Sequence, residues 1–265
     1  MSHYIDVHTH LTHQDFIHDQ DAVIKRAVDA GFTAIVVNGL GPKSNRQILE
    51  MAKKYPQVKA ALGIYPIEAV NEILPSDYKF EREHFTVKDE IAFIRKMALE
   101  KKISAVGECG LDGYHLGPET FSKQEEVFSS LIEIANEADI PVIVHSRKRE
   151  DYVLSMLADH KATKVNLHCY SGKTQLAVNA AEKYQWCFSI PANLARSHSF
   201  QTLVKRLPEE CLLTETDAPY LGPEPGKRNE PVNVVGTVEK ISTLRQWDLN
   251  YTKERIWKNY MRVFS

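Results

Sequence analysis

Six side chains along the chain carry donor atoms that divalent cations favour, and each stands at the end of a short apolar run: His8 and His10 in Ile-Asp-Val-His-Thr-His, then Glu108, His145, His168 and Asp217. On an extended strand residues i and i+2 share a face, so His8 and His10, placed after Tyr4-Ile5-Asp6-Val7, can reach one cation together. The runs Ile103–Gly107, Pro141–Val144, Val165–Leu167 and Cys211–Glu215 precede the other four. One strand end closing on a metal-preferring side chain is common by chance; five in one chain point to a shared metal centre. Imidazoles mixed with carboxylates suit Zn²⁺, Mn²⁺ or Mg²⁺, and no thiolate joins them, which argues for an open catalytic site over a closed structural zinc site.

Hydrophobic periodicity supplies the elements that must position these groups. Strands are predicted at 4–7, 34–37, 58–62, 103–107, 141–144, 164–167, 186–190 and 211–215. Apolar residues at helical spacing fall between them, at 21–30, 44–55, 87–100, 122–138, 150–159, 173–184 and 200–207, with two final helices at 234–246 and 252–264. Gly31 is placed to cap the first helix. The stretch 65–85, with Pro66 and Pro75, is irregular and reads as an excursion loop. Eight strands alternating with helices predict a closed (β/α)₈ TIM barrel, one domain over residues 1–265, near the length of about 250 typical of that fold. All six donors then lie at C-terminal strand ends, where barrel enzymes build their sites.

Composition narrows the function classes. Hydrophobic content of 43% with 26% charged residues supports an ordinary globular core, and the formal net charge of −2 provides no basic field for long nucleic acid. A polyanionic substrate would have to be held locally. The four cysteines, Cys109, Cys169, Cys187 and Cys211, form no Cys-x-x-Cys pair and are expected as free thiols of a reducing compartment. Cys109 and Cys169 each follow a proposed ligand, and strand alternation turns them from the ligand face. No basic-then-apolar leader opens the sequence, and no apolar run approaches the roughly 18–20 residues of a membrane helix. A soluble cytoplasmic protein without a membrane partner is expected, as a monomer.

Five motifs carry a family resemblance: Ile-Asp-Val-His-Thr-His at 5–10, Gly-Glu-Cys-Gly-Leu-Asp at 107–112, His-Ser-Arg at 145–147, His-Cys-Tyr-Ser-Gly at 168–172 and Glu-Thr-Asp-Ala-Pro-Tyr-Leu at 215–221. In this order they resemble the TatD-type metal-dependent deoxyribonucleases of the amidohydrolase superfamily, and Gly-Lys-Arg-Asn-Glu-Pro at 226–231 is similar to the segment that follows. The resemblance implies a barrel of the metallo-dependent hydrolase type with two divalent ions, one on His8, His10 and Asp217 and one on His145 and His168, with Glu108 bridging. It departs at Gly63-Ile64-Tyr65-Pro66-Ile67, where family members commonly carry Gly-x-His-Pro-His. Both imidazoles are absent here, which bears on substrate choice and leaves the metal ligands intact.

A carboxylate can bridge two cations about 3.5–4 Å apart, and two ions use six ligands where one would leave some idle. Water made acidic there can attack a phosphodiester in line, with Asp217 as proton acceptor and then donor. Ser171 and Gly172 at a helix start offer backbone N–H groups to a phosphate oxygen, and Arg147 offers a bidentate fork. Lys227 and Arg228 could meet a further phosphate or be solvated loop charges, and Arg147 could instead pair with an internal carboxylate. Tyr65 and Tyr170 line the pocket, stack on a base, or pack in the core. His13, His18, His84, His115, His160 and His198 are expected at the surface or in loops. The expected activity is hydrolysis of DNA from single-stranded or short ends. The alternatives are hydrolysis of a small ester, amide or phosphoester, and a non-catalytic nucleic-acid-binding relative.

Overall fold

Residues 3–75, 77–79 and 83–265 are described in the computed structural model. The strands are β1 (Tyr4–Thr9), β2 (Phe32–Asn38), β3 (Val58–Leu62), β4 (Ala105–Gly110), β5 (Val142–His145), β6 (Val165–Leu167), β7 (Cys187–Ile190) and β8 (Leu212–Thr214). They form one sheet in sequence order, every ladder parallel. Helices α1 (Gln20–Asp29), α2 (Pro42–Lys54), α3 (Pro66–Ala69), α4 (Val87–Leu99), α5 (Phe121–Ala138), α6 (Glu150–Asp159), α7 (Thr174–Tyr184) and α8 (His198–Arg206) lie between them, and α9 (Val234–Arg245) and α10 (Leu249–Phe264) follow β8. The predicted (β/α)₈ barrel is the observed fold.

The barrel is brought nearly closed by bonds from β1 and His10 to β8 and the segment that follows it. Asp217 N–H donates to the His8 carbonyl at 2.8 Å, His10 N–H donates to the Ala218 carbonyl at 2.8 Å, and the Thr214 hydroxyl donates to the Ile5 carbonyl at 2.7 Å. Asp6, fully buried, completes the seam by accepting the His8 N–H and both the N–H and hydroxyl of Thr216.

Local chemistry explains where the observed boundaries differ from the predicted ones. The Asp248 carboxylate accepts the N–H groups of Asn250 and Tyr251, so α10 begins three residues before the predicted Thr252. Its Thr252, Ile256, Asn259, Tyr260 and Val263 then form the buried face, a helical spacing. Ser197 accepts Phe200 N–H and starts α8 at His198. Strand β1 runs to Thr9 and β4 to Gly110, so His8 and Glu108 lie within strands, not beyond them. Residues 209–211 form a 3₁₀ turn, which shortens β8 to three residues and puts Asp217 on the following loop at φ 54°.

Two glycines make room for the site. A Cβ at Gly63 would stand 2.3 Å from the Glu108 carbonyl oxygen, and one at Gly110, where φ is 140°, would stand 2.0 Å from the His145 carbonyl oxygen. The 65–85 excursion opens with α3, and Ile67, Val70 and Leu116 beneath it form a small apolar cluster of their own. Residues 76 and 80–82 of that excursion lie outside the described residues. All four cysteines are unpaired, with the Cys109 thiol directed at the Ile143 carbonyl, 3.8 Å away. No helix among the described residues is long and apolar enough to cross a membrane.

The seam yields a test. Thr216→Val keeps the side-chain shape and deletes the hydroxyl that donates to buried Asp6. Urea unfolding is expected to show a loss of about 1–3 kcal/mol.

Candidate metal centre

The six strand-end side chains converge at the C-terminal mouth of the barrel. His8 Nε2 lies 3.1 Å from His10 Nε2, 3.4 Å from Glu108 Oε2 and 3.6 Å from Asp217 Oδ1; His10 Nε2 lies 3.3 Å from both of those oxygens. Four donors bound tetrahedrally at about 2.1 Å from one ion stand about 3.4 Å apart, so this spacing fits a single divalent cation. Glu108 turns its other oxygen the opposite way: Oε1 lies 3.1 Å from His145 Nδ1 and 2.9 Å from His168 Nε2. His8 and His168 stack between the two groups, ring centroids 3.8 Å apart. Both His8–His10–Glu108 and Glu108–His145–His168 could hold a metal ion.

Neighbouring acceptors select which ring nitrogen faces inward. His10 Nδ1 lies 3.1 Å from the Asn38 carbonyl, leaving Nε2 for a cation, and His145 Nε2 lies 2.9 Å from Asp112 Oδ2, leaving Nδ1. Asp112 is itself fixed, since its Oδ1 accepts the N–H groups of Tyr114 and His115. Behind His168, buried Glu215 accepts the Cys169 N–H and the Ser189 hydroxyl, its Oε2 4.0 Å from His168 Nδ1.

The same contacts set protonation. Burial opposes charge on His10, but Asp217 and Glu108 outweigh it and raise the ring to about 10. Burial is likewise outweighed at His145, raised to about 9 by Asp112 and Glu108. Burial and the adjacent His168 lower His8 to about 4, so its ring is neutral. Burial would raise Glu108, yet His168 and His8 hold it well below the ordinary carboxylate range. At neutral pH, protons on His10 and His145 thus occupy positions that suit cations.

A protein-family model described as TatD related DNase matches residues 5–265. The chain belongs to this family. A Bacillus subtilis relative, the uncharacterized metal-dependent hydrolase YabD, is 30% identical, the match covering 98% of each chain. A Musicola paradisiaca relative named 3'-5' ssDNA/RNA exonuclease TatD is 29% identical, the match covering 98% of this chain and 97% of that one. Among solved structures, the TatD homolog YjjV of Escherichia coli superimposes with a TM-score of 0.83 at 25% identity, covering 98% of this chain and 97% of that one.

Within this TatD-family barrel the remaining sequence-predicted residues separate. Tyr65 stands at the mouth, its ring edge-on to His145 at a centroid distance of 5.0 Å, while Ile67 faces the apolar cluster under α3. Arg147 is exposed and stacks on Tyr114, 3.8 Å from the ring centroid, with no carboxylate partner among the described residues. The structure decides between the readings left open for Tyr170, Lys227 and Arg228, and corrects the one for Ser171 and Gly172. Tyr170 is 3% exposed and packs edge-on to Phe188, so it lies in the core. Ser171 and Gly172 precede α7, whose first residue is Thr174, and the Ser171 hydroxyl donates to Glu150. Arg228 is committed to Asp19 by two hydrogen bonds, at 2.7 and 2.6 Å, and Lys227 pairs with Glu224 at 2.6 Å. Sequence reasoning missed Asp6, Asp112 and Glu215, although all three lie inside the quoted motifs.

The protonation pattern predicts a pH dependence. His10 and His145 have folded values above the ordinary histidine value of 6.5, so in metal-free protein their contribution to stability is complete below 6.5 and lost as pH rises through about 9 to 10. Calorimetry of chelator-treated protein should show its melting temperature falling across that window. Added divalent metal should bind more tightly over the same range and release protons.

Proposed function

We propose that the chain hydrolyses phosphodiester bonds in DNA with two divalent ions, acting from ends on single-stranded or short substrates. The observation that carries this reading is the division of Glu108: Oε2 with His8, His10 and Asp217, Oε1 with His145 and His168. His8, His10 and Asp217 would hold one ion and His145 and His168 the other, with Glu108 shared. Ions so placed supply the Lewis acidity that makes water acidic and stabilises a leaving oxygen. Zn²⁺, Mn²⁺ and Mg²⁺ all suit the donor set.

The chain's own residues divide the remaining work. Glu108, its side chain 3% exposed, is enclosed by imidazoles and is a fixed ligand. Asp217, 15% exposed, faces the mouth, where it accepts a proton from the attacking water and returns it to the leaving oxygen. Arg147 presents its guanidinium at the rim to a phosphate. Among the described residues Arg147 has no carboxylate partner, whereas Arg149, Lys227 and Arg228 are each paired with one, and so sparse a set of available cations favours a short single strand over a long duplex track. The relative named for 3'-5' exonuclease action on single strands supports the same substrate. Four unpaired thiols accord with a reducing, cytoplasmic setting.

Incubation of the purified protein with labelled single-stranded DNA and Mg²⁺, Mn²⁺ or Zn²⁺ is expected to release short products, and chelator to stop the reaction. Asp217→Asn should lower kcat by roughly 10²–10⁴-fold. Intact DNA beside hydrolysis of a chromogenic ester or amide would overturn the reading. Tyr65 and Ile67, in place of imidazoles, would then mark a small-ester or amide hydrolase.

A further inference from the structure

Two loops of the barrel mouth are stapled edge to edge. Leu111 N–H donates to the His145 carbonyl at 3.1 Å, and Gly113 N–H donates to the Arg147 carbonyl at 2.9 Å. Past this ladder the Arg147 guanidinium lies over the Tyr114 ring, and both side chains face solvent, Tyr114 at 56% exposure. The nearby Arg149 shows the contrasting use of the same chemistry: it is buried, stacked on Phe121 and Tyr152, and hydrogen-bonded to Glu125. Arg149 is a structural cation, whereas the Arg147 guanidinium makes no hydrogen bond or ion pair among the described residues.

One carboxylate sets the position of this pair relative to the candidate metal centre. Asp112 accepts Tyr114 N–H at 2.7 Å through Oδ1 and holds His145 Nε2 at 2.9 Å through Oδ2. An exposed aromatic with a guanidinium stacked on it offers a flat surface for a nucleobase and a planar fork for a phosphate. The stacking also fixes the guanidinium plane before a ligand arrives, which lowers the ordering cost of binding.

We propose that Tyr114 and Arg147 form a binding subsite for the nucleotide adjoining the scissile phosphate of a single-stranded nucleic acid. The base stacks on the Tyr114–Arg147 pair, and the guanidinium edge takes the phosphate. This assignment rests on the nuclease reading above and adds Tyr114, which belongs to none of the family motifs.

The test is equilibrium binding of a fluorescein-labelled single-stranded oligonucleotide to the full chain, followed by anisotropy with Ca²⁺ present so that cleavage is not required. Tyr114→Ala is expected to raise Kd roughly 10-fold or more. Tyr114→Trp should restore binding and Arg147→Lys should not. Tyr251→Ala, on α10, should leave Kd unchanged, and thermal melting should confirm that every variant is folded. Equal Kd values for wild type and Tyr114→Ala, or no binding by wild type, would overturn the subsite. Wild type that binds through Tyr114 yet leaves DNA intact with Mg²⁺, Mn²⁺ or Zn²⁺ would instead overturn the nuclease reading and leave the subsite standing.

Discussion

The carboxylate of Glu108 is the constraint on which the rest of the site depends. It is 2% exposed and charged, and a buried charge is tolerated only where opposite charge or strong donors surround it. Four imidazoles meet that requirement, from β1 and the residue just past it, from the end of β5 and from the loop after β6, while Asp217 comes from the loop after β8. No single element could deliver them. A closed parallel barrel brings several strand ends to one point, and Gly63 and Gly110 let the neighbouring backbones approach closely enough for it to happen.

Around that centre lies a ring of groups that orient without converging on it. The Asn38 carbonyl turns His10, Asp112 turns His145, and Asp6 ties the start of β1 to the loop carrying Asp217. Such outer contacts fix ring orientation and tautomer, so that each imidazole presents one defined nitrogen. Asp6 and Asp112 also serve packing, Asp6 at the seam that closes the barrel and Asp112 at the junction of the two loops flanking His145. Residues that hold the barrel together therefore also orient the site.

Much of this was legible in the sequence because strand alternation is rigid. Two residues apart on one strand means one face, which pairs His8 with His10, and five apolar runs ending in donors imply a common mouth. What escaped has physical reasons. The Asn38 carbonyl is a main-chain group and leaves no mark on residue type. The partner of Arg228 is Asp19, 209 positions away, so the chain could not show that its charge was committed. Tyr170 turns into the core because the residues after β6 leave the strand, Cys169 adopting φ 44°, and alternation no longer applies. Asp6 shares a face with His8 by the same period of two and could have been found.

Tyr65 and Ile67 stand where the resemblance to the family implies two imidazoles. Ile67 is absorbed into a small apolar cluster, and Tyr65 keeps an aromatic edge on His145 without contributing a further imidazole. The central claim, that Glu108 joins two cations, is tested most directly by electron paramagnetic resonance of the protein titrated with Mn²⁺. Two bound equivalents giving an exchange-coupled spectrum, which collapses to isolated-ion signals in Glu108→Gln, is the result the account predicts. A single bound equivalent, or two uncoupled ions in the wild type, would contradict it.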